Sequence, residues 1–242
     1  MQTETILIIG ASSDIGYAVV NKLASTNPNR QFILHYNKNK DVIKHIQHDL
    51  RNDTVLLTVQ ADLRSDQETD QLLKSIPFNI DTLVFAQGQS YSGLITDTSD
   101  QIMDDLYHVH VKSMTRITKH FLPSMIRNQQ GTIVVISSIW GEIGVSNEVW
   151  YSMMKSAQNQ FVKSLSKEVG TSNIRVNGVA PGIIATKMNQ HLSDEEVENW
   201  LEDVPLQRMG QPEEVADAVQ FLCSPQSSYF NGQLLRLNGG IN

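Results

Sequence analysis

Apolar residues gather in short unbroken runs along this chain, with little of the alternation that marks a half-solvated sheet. The runs span residues 5–9, 31–36, 55–59, 82–86, 132–136, 174–180 and 234–237, and several are rich in Val and Ile. Short β-branched runs of this kind read as strands covered on both faces, the habit of parallel sheets. Between them the apolar spacing turns helical: from residue 14 to about 25, from about 100 to 128, from about 149 to 169, and over 213–223. The 100–128 helix is long, and Pro123 is expected to kink or restart it. Strands alternating with helices predict an α/β fold, a doubly wound parallel sheet of about seven strands with helices on both faces. No linker, repeat or low-complexity tract divides the 242 residues, so a single domain over 1–242 is expected. The polar, acidic segment 186–209 follows the sixth strand and holds Trp200 among carboxylates. It reads either as a substrate lid or as an ordinary helical excursion.

Composition removes several function classes. A net charge of −7 and a pI near 5.4 argue against nucleic acid or an anionic membrane as partner. Cys223 is the single cysteine, and no clustered His/Cys pattern exists, so neither an internal disulfide nor a structural zinc site is expected. No signal peptide precedes the first strand and no long apolar span follows, which points to a cytoplasmic protein.

The first strand runs into Gly10-Ala11-Ser12-Ser13-Asp14-Ile15-Gly16 and then a helix. Strand, glycine turn and helix make a corner whose small residues bring a phosphate to the helix amino end, though the same residues also serve a plain tight turn. Asp14 would cap that helix well, yet it faces the phosphates. In a Rossmann-type dinucleotide site the second strand ends at the adenosine ribose, where an acid selects NAD. Here the chain reads Tyr36-Asn37-Lys38, which favours NADP(H); Lys38 also fits a solvated loop. Asp62, followed by Leu63 at the third strand's end, suits an adenine amino group and equally a turn.

Ser138 stands at the carboxyl end of the fifth strand, where ligands of open α/β sheets sit. Tyr151 and Lys155 lie four apart on one face of the following helix. A free phenol titrates near a pH of about 10, and a neighbouring ammonium favours its ionised form. Such a tyrosine can act as general acid or base while the serine hydroxyl holds the substrate oxygen, a set suited to proton transfer to a carbonyl or from an alcohol. Taken alone, the three also fit a surface Tyr and Lys beside a strand-end Ser.

Taken in order, Gly10 and Gly16, Asp62, Gly88, Ser138, Tyr151 and Lys155, Asn177, Pro181-Gly182 with Thr186, and Asn238-Gly239-Gly240 resemble the short-chain dehydrogenase/reductase family over essentially the whole chain. The Ser138–Tyr151 spacing and the closing Gly232-Gln233 and Asn238-Gly239-Gly240 resemble its 3-oxoacyl-acyl-carrier-protein reductase branch in particular. The resemblance implies an NADP(H)-dependent reduction of a ketone. Tyr151 would protonate the carbonyl oxygen, Ser138 would hydrogen-bond it, and Lys155 would hold the nicotinamide ribose and depress the Tyr151 pKa. Gly10, Ser12, Ser13, Ile15 and Gly16 would line the pyrophosphate, and Pro181, Gly182, Ile183 and Thr186 would orient the nicotinamide. Tyr36, Asn37, Lys38, Asp62, Leu63 and Gly88 would lie toward the adenosine. The resemblance also implies a homotetramer with residues 100–128 and 149–169 partly buried between subunits.

The chain departs from the family pattern at four places. Asp14 replaces a glycine of the phosphate loop, and Phe85-Ala86-Gln87-Gly88 replaces Asn-Asn-Ala-Gly. His110 aligns with the asparagine of the family's proton relay; it can hold a relay water and add a group titrating near neutrality, or be a core histidine satisfied by backbone. Where acyl-carrier-protein reductases place arginines, this chain has Asn128-Gln129-Gln130 and Thr171-Ser172-Asn173. Some near relatives instead reduce a 5-aminopentanone group on a lysine of elongation factor P, a cationic substrate suited to an acidic entrance. Three functions are therefore weighed: an NADPH-dependent reductase of a 3-oxoacyl thioester or of that aminoketone, an NADP(H)-binding regulatory protein without turnover, and an NAD-dependent alcohol dehydrogenase. The missing acid after strand two opposes the last, and the intact Ser138, Tyr151 and Lys155 favour the first.

Overall fold

The computed structural model describes residues 3–51, 53–190 and 193–241. Its strands are β1 (Glu4–Ile9), β2 (Arg30–Tyr36), β3 (Val55–Gln60), β4 (Thr82–Phe85), β5 (Gly131–Ile136), β6 (Ile174–Pro181) and β7 (Leu234–Leu237). They pair in parallel in the order β3-β2-β1-β4-β5-β6-β7. The unbroken apolar runs follow from this arrangement. Ile6 and Ile8 face one packed layer while Leu7 and Ile9 face the other, so neither side of β1 calls for polar residues. One layer holds α1 (Asp14–Thr26), α2 (Lys40–Asp49) and α9 (Pro212–Leu222). The other holds α3 (Asp66–Ser75), α5 (Ser113–Asn128) and α7 (Val149–Val169). The strand order reverses between β1 and β4, which opens a crevice at their carboxyl ends.

The α-helical pattern of 100–128 is interrupted at a place other than Pro123. Residues 100–128 run as α4 (Asp100–Tyr107), a π turn His108–Lys112, and α5. Pro123 lies inside α5 and neither ends nor restarts it. It sits on the exposed side, where the carbonyl left without its amide partner is open to water. The irregularity falls at the π turn, whose carbonyls drift from their usual helical partners. Two buried amides take them up: Gln87 Nε2 donates to Val109 O at 3.3 Å, and Gln158 Nε2 donates to His110 O at 2.9 Å.

After β6 the chain makes a 3₁₀ turn, Lys187–Asn189, and then α8 (Asp194–Glu202), whose start is fixed by a capping box between Ser193 and Glu196. It returns to the body through a parallel bridge between Ile184 and Gly210. No described residue of α8 is buried.

Candidate active site

A cleft of about 440 Å³ opens over the carboxyl ends of the strands, with Ser138, Tyr151 and Lys155 in its lining. Backbone packing brings the three together. Gly141, in the short helix α6 (Trp140–Ile143), has no room for a side chain, since a Cβ there would lie 2.6 Å from the Lys155 carbonyl carbon. The Ser137 hydroxyl donates to the Lys155 carbonyl at 3.2 Å, tying the end of β5 to α7. Ser138 Oγ accepts the Trp140 N–H at 3.2 Å and hydrogen-bonds Tyr151. Lys155 Nζ lies 5.5 Å from the Tyr151 ring centroid and donates to the Ile136 carbonyl at 3.0 Å.

The electrostatics correct one expectation. Burial, reinforced by the Glu148 charge, pushes the Tyr151 phenol above its ordinary value, and the Ser138 hydrogen bond only partly opposes this. Lys155 does not depress it, because burial of the ammonium brings Lys155 itself down to about 7 and its amine is directed at Ile136. Tyr151 is therefore held as a neutral phenol, a proton donor.

His110 is fully buried and packs edge-on against Tyr151, with ring centroids 5.6 Å apart. Its Nε2 meets the Gln89 carbonyl at 2.8 Å and the Gln89 N–H at 3.2 Å, while Nδ1 has no hydrogen-bond partner among the described residues. Burial and the Lys155 charge push it down to about 3, so it does not titrate near neutrality as expected.

Ser12, Ser13, Ile15, Gly88, Pro181, Gly182, Ile183 and Thr186, expected to contact a cofactor, line the same cleft. Gly10 has φ +83°, and a Cβ there would lie 2.6 Å from the Gln87 nitrogen; one on Gly16 would lie 2.2 Å from the Gly10 carbonyl oxygen. Only glycine fits either place. Ser13 caps α1, accepting the Gly16 N–H at 2.9 Å. Asp14, expected to cap, instead accepts the Lys187 N–H at 2.7 Å and clasps α1 to the turn after Thr186. A glycine cradle at a helix amino end that opens on the cleft suits a dinucleotide pyrophosphate.

His35 is a residue that the sequence reading passed over. Buried in β2, it accepts the Gly10 N–H on Nδ1 at 3.1 Å and pairs through Nε2 with the Ala61 carbonyl at 3.0 Å. It thereby ties the glycine turn to the end of β3, and burial lowers its pKa to about 4. Tyr36, Asn37, Lys38, Asp62 and Leu63 cluster at this edge but do not line the cleft. The Asp62 carboxylate accepts from the Arg64 Nε at 3.0 Å and from the Arg64 backbone N–H at 3.0 Å, so it serves its own turn. Arg64 holds it below the usual carboxylate range. Asn177 also acts as a strut: it accepts the Gln233 N–H at 3.0 Å and donates to the Phe230 carbonyl at 2.8 Å. Among the described residues, no group of three His, Cys, Asp or Glu could hold a metal ion.

Residues 10–242 match a family model described as enoyl-(acyl carrier protein) reductase. The chain is 43% identical over 239 residues to the uncharacterized oxidoreductase YmfI of Bacillus subtilis, covering 98% of each chain. It is 33% identical to the 3-oxoacyl-[acyl-carrier-protein] reductase FabG of Aquifex aeolicus, over 100% of this chain and 98% of the relative. A solved short chain dehydrogenase/reductase family protein superposes with a TM-score of 0.89 at 25% identity, over 99% of this chain and 97% of the other.

Proposed function

The chain belongs to the short-chain dehydrogenase/reductase family of oxidoreductases, and on that footing we propose that it is an NADPH-dependent carbonyl reductase, converting a 3-oxoacyl thioester to the secondary alcohol. One observation carries this reading: a phenol kept neutral by burial, hydrogen-bonded to Ser138, on the same cleft as the glycine turn and Pro181–Thr186. Bound NADPH would supply the hydride. Ser138 holds the carbonyl oxygen, and Tyr151 gives that oxygen its proton, breaking one O–H bond as another forms. Lys155, its amine 5.5 Å from the ring centroid, would hold the nicotinamide ribose of the bound cofactor. His110, buried in the π turn and edge-on to the ring, fixes where the phenol points. Lys155→Ala should lower kcat by about 10²-fold or more and also weaken NADPH binding; a change in kcat alone would remove its cofactor role.

The absence of an acid at Tyr36-Asn37-Lys38 supports NADP(H) over NAD(H). A second reading, reduction of the 5-aminopentanone group on elongation factor P, is supported by Glu148 in the cleft lining and by the acidic α8. Asp14, Gln87 and His110, which motivated a regulatory protein without turnover, each have a packing role here, so that reading is not adopted. The deciding measurement is NADPH consumption with an acetoacetyl thioester against an elongation factor P peptide bearing the aminoketone. Turnover of the thioester supports the first reading, turnover of the peptide alone the second, and turnover of neither removes both.

A homotetramer working in the cytoplasm completes the proposal. Tyr107 of α4, Ile126 of α5, and Val149 and Met153 of α7 are exposed apolar side chains on the two segments, 100–128 and 149–169, expected between subunits. Met153→Asp should shift the mass measured by light scattering to a smaller species, and a wild-type monomer at micromolar concentration would remove the tetramer. No described helix is long and apolar enough to cross a membrane.

A further inference from the structure

We propose that Trp140 and Trp200 form a wall that limits the cleft to ketones with a short chain beyond the carbonyl, an inference that rests on the reductase reading above. The two indoles meet with ring centroids 5.1 Å apart and planes tilted by 60°. Both line the cleft that holds Ser138 and Tyr151, and both also line a second groove of about 710 Å³. The pair therefore separates two spaces that would otherwise run together. Trp140 follows Ser138 by two residues and gives its backbone N–H to the Ser138 hydroxyl, which places the wall beside the position of the substrate oxygen.

The groove beyond is lined by Ile143, Val145, Pro205 and Ile241, together with Asn199 and Asp203. An unbranched acyl chain is the occupant this lining favours, because each methylene taken from water adds binding and no polar group of the chain is stranded. Ile143 is 49% exposed, so apolar surface is already open there. Trp200 stands on α8, where only Val197, Trp200 and Leu201 are even partly covered among the described residues. Truncating its ring thus removes the wall without cutting into a packed core.

The test compares wild type, Trp200→Ala and Trp200→Phe, with NADPH and N-acetylcysteamine thioesters from 3-oxobutanoyl to 3-oxododecanoyl. In the wild type kcat/KM should fall along the series. Trp200→Ala should raise the long-to-short ratio by about tenfold or more, the scale on which a pocket discriminates methylenes, and Trp200→Phe should stay near the wild type. An unchanged ratio in Trp200→Ala overturns the wall. A second readout needs no turnover: calorimetric binding of dodecanoyl-N-acetylcysteamine in the presence of NADP⁺. Binding about tenfold tighter to Trp200→Ala supports the wall, whereas equal affinity or no binding to either protein overturns it. Tighter binding without reduction of any thioester would uphold the wall and remove the thioester-reductase reading.

Discussion

Replacing Tyr151 by phenylalanine should cut kcat by about 10²- to 10⁴-fold, the usual contribution of a positioned general acid, and leave NADPH affinity essentially unchanged. The substitution removes one hydroxyl and little else. The ring keeps its edge-on contact with His110, and its face remains available to the Lys155 amine. No charge is lost, because burial holds the phenol neutral in the native site. Ser138 loses a hydrogen-bond partner but keeps the Trp140 N–H, so the carbonyl-binding side stays in place. The loss should therefore appear in single-turnover hydride transfer, with the NADPH Kd from fluorescence titration as the control. A matching loss in Kd would mean that Tyr151 shapes the cofactor site and does not donate the proton.

What the sequence made legible follows from how locally each feature is determined. Val149–Val169 and Leu234–Leu237 match the predicted boundaries, because a helix stop or a buried β-branched run is written in neighbouring residues. The helices α2 and α3 escaped notice, since each is short and buries only two or three residues, such as Ile43 and Ile46 or Leu72 and Leu73. The π turn was invisible for a different reason. It is stabilised by Gln87 and Gln158, which come from β4's end and from α7, far away in sequence. Charge was misjudged in the same way: spacing alone puts Lys155 beside Tyr151, but only the folded chain shows that the lysine is itself desolvated and turned toward Ile136. The Trp140–Trp200 contact joins positions 60 residues apart in sequence on α6 and α8, and no local pattern could pair them.

Acid should destabilise the fold before most carboxylates protonate, because His35 and His110 are buried as neutral rings with pKa values of about 4 and about 3. The sign follows from proton counting. In the unfolded chain each histidine titrates near 6.5, so below that pH the unfolded state binds a proton that the native state refuses. The part of the stability linked to these rings is therefore complete above about 6.5 and declines as pH falls toward 4 for His35 and toward 3 for His110. Each ring should contribute a slope of about 1.4 kcal/mol per pH unit. Lys155, lowered to about 7, acts in the same direction just above neutrality, so each histidine must be read from its own variant. Urea unfolding of wild type, His35→Gln and His110→Asn at pH values between about 7.5 and 5.5 makes the comparison. Both variants should show a shallower dependence than the wild type, whatever stability they lose outright, and a slope that does not change would mean the ring accepts its proton without unfolding. The consequence for the site differs between the two. Protonation of His35 on Nδ1 would remove the acceptor of the Gly10 N–H and loosen the glycine turn. Protonation of His110 would place a cation against Tyr151 and near Lys155, the charge that already disfavours it. NADPH affinity should therefore weaken with acid in the wild type and lose part of that dependence in His35→Gln, while His110→Asn should leave it in place.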